Sequence, residues 1–203
     1  MKQNFYIKLC DKKEADKILL KYHYLKDISK GYRSGYIFGL YNNQCDEILG
    51  VAVYTNISVP EIAKGAFGLE RNQQEGLYEL SRLCIHPEIQ KQEYNITSWF
   101  LSRTIKKLKS VVKVRAILSY ADSQFHKGTI YAACNFKYYG LTEPKKDFWI
   151  KLQDGTYKKH TRGKVKGLEG EWRPRTRKHR FLLVFDKSLN VLWKEEKWNA
   201  QKN

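Results

Sequence analysis

The segment from residue 77 to residue 140 constrains the fold most strongly, because it alternates between strand-like and helix-like hydrophobic patterns. Apolar runs at 77–85 and 114–118 are typical of buried strands, whereas 96–108 carries an apolar stripe at helical spacing. Residues 126–136 predict a second, shorter helix. A β-α-β-α unit requires a parallel pair of strands, and ligands bind where such strands end.

Polar side chains gather at the predicted end of the second of these strands. Ser119, Tyr120 and Asp122 close the strand, and His126 begins the next helix. A carboxylate at this place is a ligand, a base or the N-cap of the helix. We favour a role in a site over capping, because acids at strand ends in α/β folds gather at ligand sites. His126 is a general base, a nucleic-acid contact or a residue that only starts the helix.

Arg82 lies inside the first apolar strand, where an arginine is rare unless it has a partner. Strand alternation places Leu80 and Cys84 on its face and Glu79 on the other. The guanidinium is suited to grip a carboxylate or phosphate with two hydrogen bonds. A structural ion pair with another element is the equally weighted alternative.

The charge balance predicts a polyanionic partner. The chain has 38 basic and 21 acidic residues, a net charge of +17, which points to nucleic acid more than to a merely solvated basic surface. No membrane partner is expected, since no apolar run is long enough to cross a bilayer and no basic amphipathic helix is visible. Without a signal-peptide pattern, and with four scattered cysteines and no CxxC pair for zinc, a cytoplasmic protein is expected.

The remaining pattern predicts a single domain covering all 203 residues. The expected elements are a strand at 4–9, a helix at 12–22, a hairpin of strands at 36–41 and 48–55, a polar connection at 60–76, and strands at 148–150 and 181–185. Together with the central unit, this order predicts an α/β fold with a mixed central sheet flanked by helices. The core is expected at about 4–150, with a basic extension at about 151–203.

The segment 158–180 is the predicted DNA-binding region, because it interleaves Tyr157 and Trp172 with many cations. The cations assigned to DNA binding are Lys158, Lys159, Arg162, Lys164, Arg173, Arg175, Arg177, Lys178 and Arg180. The alternative is a disordered basic loop without specific contacts.

Several short blocks are more specific than the order of elements. The chain reads LSRL at 80–83, SYAD at 119–122 and HKGTIYAA at 126–133, with His-Tyr-Leu at 23–25 after the first helix. Over roughly residues 5–185 the chain resembles the Mom-type phage DNA-modification proteins. That family has a GNAT (N-acetyltransferase-like) fold.

The resemblance implies a transferase that adds a carbamoylmethyl (acetamido) group to N6 of adenine in double-stranded DNA and so protects it from restriction. It implies an iron site formed by His23, Tyr24 and Asp122, and roles in activity for Arg82 and Ser119. Without the resemblance, the His-Tyr pair reads as a histidine at a helix C-terminus beside a core tyrosine. The donor of the transferred group stays open, as does association into a homodimer.

Duplex DNA hides N6, so the adenine must leave the stack and enter a pocket. We assign this pocket to Tyr120, His126 and Tyr131. The default role of such tyrosines is core packing.

Acetyl-CoA is not expected as a cofactor. GNAT enzymes that bind coenzyme A usually carry Q/R-x-x-G-x-G/A before the helix that holds the pyrophosphate. The corresponding residues 90–98 contain no glycine, so the same open backbone turn is expected to be strained. Two alternative functions remain. One is a conventional GNAT acyltransferase acting on a nucleic-acid-linked or other substrate, and the other is a non-catalytic nucleic-acid-binding GNAT scaffold.

Overall fold

The computed structural model describes residues 4–25, 32, 35–160 and 163–199. The helices are α1 (Lys12–Tyr22), α2 (Pro60–Phe67), α3 (Pro87–Gln92), α4 (Ile96–Val111) and α5 (Thr129–Ala133), with a 3-10 turn at Arg71–Gln73. The strands are β1 (Phe5–Leu9), β2 (Tyr36–Asn42), β3 (Ile48–Asn56), β4 (Leu77–Ile85), β5 (Ala116–Asp122), β6 (Lys137–Leu141), β7 (Lys146–Lys151), β8 (Tyr157–Lys159), β9 (Gly170–Pro174) and β10 (Lys178–Val184). None of the described helices has the length and apolar character needed to span a membrane.

Seven strands form a mixed central sheet in the order β1-β2-β3-β4-β5-β10-β6. Among the described strands, only the β4–β5 pair is parallel. Helix α4 covers one face of the sheet, where Phe100, Leu101 and Leu108 are fully buried. Helices α1 and α2 cover the other face through two separate apolar clusters.

Strands β4 and β5 pair along only part of their length. Their register runs from Leu77 opposite Ala116 to Leu80 opposite Ser119, after which the strands diverge. Strand β5 extends to Asp122, further than the predicted end at residue 118, because β10 pairs with it along its whole length. The divergence opens a cleft in the sheet, as the parallel unit predicts.

A bulge at Ser81 changes which side of β4 each residue faces. Arg82 pairs with Val53 and Leu80 pairs with Tyr54, so Ser81 is an extra residue. The predicted alternation that put Leu80 beside Arg82 and Glu79 opposite it is therefore wrong. Leu80 packs in the cluster under α4, whereas Cys84 packs in the cluster under α1.

The predicted extension at 151–203 is not a simple appendage. Its strand β10 lies inside the central sheet between β5 and β6, with Phe181 and Leu182 buried. The apolar run at 181–185 predicted a strand without indicating its partners. The small sheet β8-β7-β9 is consequently an insertion between β6 and β10.

Two helices differ from the sequence prediction. Residues 60–76 are not only a polar connection, since α2 begins with Pro60 at its first turn and ends at Gly68 in the left-handed conformation. Helix α5 is shorter than 126–136 because Gly128, at φ +80°, separates it from the turn that holds His126.

Candidate active site

The cleft between β4 and β5 contains a cavity of about 550 Å³. Arg82 lines it from β4, Tyr120 from β5, and Thr97 and Ser98 from the start of α4. The other walls include His23, Tyr24, His126 and Tyr131.

A second cavity of about 690 Å³ adjoins the first on the side of α1 and α3. It shares His23, Tyr24 and His126 with the first cavity and adds Phe125 and Pro87. The two cavities are therefore neighbouring parts of one open groove, and the rings of the shared residues border both parts.

His23 is placed by the end of α1. Its backbone is extended, and its N–H donates to the carbonyl of Leu19 at 3.1 Å, so the His-Tyr pair has left the helix. The rings of His23 and Tyr24 stack with centroids 4.5 Å apart. Burial lowers the pKa of His23 to about 4, and the charges of Arg82 and His126 act in the same direction, so the imidazole is neutral near pH 7.

Tyr24 is partly exposed and connects the cleft to the turn after β5. Its ring lies 4.6 Å from that of Phe125 and 5.6 Å from that of His126, centroid to centroid. Burial raises the pKa of Tyr24, the charge of Asp122 raises it further, and Arg82 opposes both. The structure thus brings the N-terminal His-Tyr pair together with the central strands, a juxtaposition that no local sequence feature forces.

Arg82 faces the cleft because of the bulge next to it. Its Nη1 donates to the carbonyl of Ser81 at 2.6 Å, and its guanidinium lies 6.0 Å from the ring centroid of Tyr32. Burial lowers the pKa of Arg82, while the nearby Tyr24 and Glu79 raise it. Arg82 is thus a partly desolvated cation at the wall of the cavity.

Ser119 and Asp122 do not line the cavity, although the sequence places both at the strand end where a site is expected. Ser119 is buried and donates to the carbonyl of Leu80 at 3.2 Å, at the last paired position of β4 and β5. Asp122 is also buried and is not among the residues that line the cavity. One carboxylate oxygen accepts from the N–H of Gln124 at 3.1 Å and the other from the hydroxyl of Thr176 at 3.2 Å.

The residues assigned to the base pocket have unequal access to it. His126 lines both cavities, and burial lowers its pKa while the charge of Asp122 raises it. Tyr120 and Tyr131 line the first cavity. The ring of Tyr131 is buried against Phe136 and Phe181, at centroid distances of 5.6 and 5.2 Å. Phe125, which the sequence analysis passed over, is 52% exposed beside the cluster.

The three residues that the resemblance assigns to iron lie near one another, because the ring of Tyr24 stacks on that of His23 and the charge of Asp122 acts on Tyr24. Nδ1 of His23 accepts a hydrogen bond from the N–H of Leu25 at 3.1 Å, so the neutral ring carries its hydrogen on Nε2 and has no free lone pair there. Each carboxylate oxygen of Asp122 accepts one hydrogen bond, from Gln124 or from Thr176, and keeps a second lone pair. Across the described ranges, no three His, Cys, Asp or Glu side chains form a group that could hold a metal. The donor types suit iron, so binding would require that Leu25 release the ring.

The turn before α4 reaches the left-handed conformation without glycine. Asn95 has φ +58° and precedes the helix without a side-chain cap. Asparagine tolerates this region better than most residues, so a single left-handed residue forms here without glycine, while the expected strain of the full coenzyme A-type turn stays a prediction. The uncapped start of α4 at Thr97 and Ser98 lines the cavity and is electropositive.

The predicted DNA-binding cations divide into two groups. Lys159 and Arg175 both pair with the buried carboxylate of Asp147, while Arg173 pairs with Glu171 and lies over the rings of Trp149 and Tyr157. Arg177 donates to the carbonyl of Thr142, and Arg180 lies over the ring of Trp193. Lys158, Lys164 and Lys178 are exposed and have no ion-pair partner among the residues described. Arg162 lies outside the described residues.

Known proteins resemble this chain in sequence pattern and in fold. A model of the Mom protein family matches residues 4–202. No match to the chain is found among curated proteins.

Solved structures with a similar fold include an acetyltransferase of Bacillus subtilis in complex with CoA, with 15% identity and a TM-score of 0.54 over 89% of this chain and 99% of that one. A GNAT family acetyltransferase from Elizabethkingia anophelis with acetyl-CoA bound has 14% identity and a TM-score of 0.52, covering 90% and 99% of the two chains. The ribosomal-protein-S18-alanine N-acetyltransferase of Escherichia coli has 13% identity and a TM-score of 0.53, covering 92% and 99%. The predicted GNAT-like fold is confirmed.

Proposed function

The chain belongs to the Mom protein family, and from this premise we propose that it is a transferase that adds a carbamoylmethyl or related group to N6 of adenine in double-stranded DNA. The observation that carries the proposal is the family match over nearly the whole chain. Its chemistry is supported by the cleft at which His23, Tyr24, Arg82 and His126 meet.

The cleft offers two chemical groups next to the rings of His23 and Tyr24. His126 can accept a proton, and the wall formed by Arg82 and the start of α4 can bind an anion. N6 of an extruded adenine attacks the methylene carbon of the donor, the bond from that carbon to its leaving group breaks, and the N6 proton passes to neutral His126. Asp122 stabilises the imidazolium that forms, in keeping with its effect on the pKa of His126. Arg82 and the start of α4 hold an anionic or carbonyl part of the donor.

The exposed lysines of the small sheet and of the start of β10 supply the DNA contact. We expect the combined Lys158→Ala, Lys164→Ala and Lys178→Ala variant to weaken duplex binding and to reduce the slope of log affinity against log salt by about 2 to 3, since each lysine neutralises roughly one phosphate. A salt titration of binding measures this. The control removes the same charge from exposed lysines of α1 and α4, at Lys13, Lys17 and Lys106. Equal losses in the two triple variants would place the DNA elsewhere.

Iron remains a prediction of the family resemblance, with His23, Tyr24 and Asp122 as ligands. We expect protein purified under reducing conditions to contain iron, and His23→Ala to contain little of it, as measured by elemental analysis. His86→Ala is the matched control, because His86 lies outside the first cavity and bonds to the hydroxyl of Tyr22. The iron assignment fails if wild type and His23→Ala hold the same amount.

Nucleoside mass spectrometry of DNA from cells that express the protein tests the function. A modified adenosine of carbamoylmethyl mass supports the proposal. The left-handed Asn95 and the uncapped start of α4 favour an acyltransferase as the second candidate. An acetylated nucleoside or RNA would support that candidate, and unmodified nucleic acid together with duplex binding would leave a non-catalytic binding scaffold.

A further inference from the structure

Phe125 is an exposed aromatic ring on a firmly held turn. Its N–H and that of His126 both donate to the carbonyl of Asp122 at 3.0 Å. Ser123 adds two hydrogen bonds to the carbonyl of Arg177, at 3.1 Å from its N–H and 2.7 Å from its hydroxyl. An apolar side chain that is 52% exposed gains little from burial, so the tight support of this turn points to a role for the ring itself.

The ring continues the aromatic cluster of the cleft. It lies 4.6 Å from Tyr24, centroid to centroid, at an interplanar angle of 33°. Tyr24 in turn stacks on His23. Phe125 lines the second cavity and is the outermost ring of this cluster, so a flat ligand entering from solvent would meet it first.

The same turn is joined to the basic part of the chain. Its bonds run to Thr176 and Arg177, in the connection between the small sheet and β10, with the exposed Lys178 next in the chain. A DNA strand whose phosphates follow this connection passes directly beside Phe125. Aromatic surface next to a phosphate-binding path is the arrangement by which proteins hold an unstacked base.

We propose that Phe125, with Tyr24 behind it, is the platform on which the extruded adenine stacks before it reaches His126. This inference rests on the proposed function and deepens it, because it assigns the base to the second cavity and leaves the first for the donor. The inference also makes Phe125, and not Tyr131, the stacking surface, because the ring of Tyr131 is packed against Phe136 and Phe181.

The test compares two short duplexes, one with a single bulged adenine and one with an abasic site in the bulge. We expect the wild-type protein to bind the adenine bulge about 5- to 100-fold more tightly, the range expected for stacking one base on an aromatic ring. Phe125→Ala should bind both duplexes with the affinity that wild type has for the abasic one. Phe125→Tyr should restore the preference, which separates the ring from any effect on folding.

Trp172→Ala is the matched control, because Trp172 is also exposed, at 55%, but lies on the small sheet away from both cavities. It should keep the preference for the bulged adenine even if its overall affinity changes. The inference is overturned if Phe125→Ala keeps the preference, or if Phe125→Ala instead dissociates a dimer of the chain in sedimentation, which would mean that a second copy covers the ring. Wild-type protein that leaves cellular adenine unmodified contradicts the proposed function separately.

Discussion

Asp122→Asn is expected to lower the yield of modified adenine by about 100-fold or more while the protein stays folded. An asparagine oxygen can still accept the hydrogen bond from the N–H of Gln124, so the turn that carries His126 is retained. The substitution removes the charge that stabilises protonated His126, and general acid–base assistance is typically worth about 100-fold or more. Nucleoside mass spectrometry measures the yield, and a thermal melt confirms the fold.

Thr176→Val serves as the control for this prediction. It removes the hydrogen bond from Thr176 to the carboxylate of Asp122 but leaves the charge in place. We expect a yield within several-fold of wild type. If Asp122→Asn modifies adenine as well as Thr176→Val does, the carboxylate only holds the turn, which is the alternative that the sequence left open.

Gly128→Ala is expected to destabilise the protein by about 2–5 kcal/mol. The residue has φ +80°, a conformation that costs an L-residue with a side chain about 1–2 kcal/mol. A Cβ at this position would also lie 2.4 Å from the ring of Phe181 and 3.1 Å from the Cβ of Ala121, both in the core. Overpacking of this kind typically costs about 1–3 kcal/mol in addition. Denaturant unfolding gives the difference.

Gly155→Ala isolates the backbone part of that effect. Gly155 has φ +79°, nearly the same as Gly128, and no heavy atom lies within 4 Å of the Cβ that would be added. We expect it to cost only about 1–2 kcal/mol. Equal destabilisation by the two substitutions would mean that the core around Phe181 yields to an added methyl group.

The central unit could be predicted because its periodicity is strong and local. The apolar stripe of α4 and the runs of β4 and β5 determine the elements, and the parallel pairing determines where the cleft opens. The bulge at Ser81 could not be predicted, because it depends on the pairing with β3, which brings together residues distant in the sequence. One extra residue was enough to reverse the sides expected for Leu80 and Glu79 relative to Arg82.

The structure of the basic segment could not be predicted from the sequence, for a different reason. Its strands β8 (YKK) and β9 (GEWRP) are too short and polar for a strand pattern to appear, and both pair with β7, which lies between them. Density of cations alone also did not indicate which of them face solvent. Asp147, distant in sequence from Arg175, takes two of the cations into an ion-paired cluster.

At the candidate site, the sequence blocks located the strands that border the cleft, and the roles of their residues stay predictions. Ser119 and Asp122 lie outside the lining of the cavity and form hydrogen bonds to Leu80, Gln124 and Thr176. Phe125 had a visible signal, an aromatic residue between polar ones in a turn. An aromatic residue in a turn indicates a binding role only once the turn is known to border a cavity, as this one does.

The chain leaves the central sheet after β6, forms the small sheet, and returns to the central sheet at β10, next to the point where it left. Strands β6 and β10 are antiparallel neighbours, and the N–H of Thr142 donates to the carbonyl of Lys178 at 2.8 Å where the excursion begins and ends. Everything between these two residues is therefore an insert in what would otherwise be a plain hairpin. Such an insert can be lengthened, shortened or exchanged without altering the register of the central sheet, provided that Thr176 and Arg177 keep their hydrogen bonds to the turn after β5. Under the proposed function, exchange of this insert would change which stretch of DNA reaches the cleft and would leave the residues of the cleft itself in place.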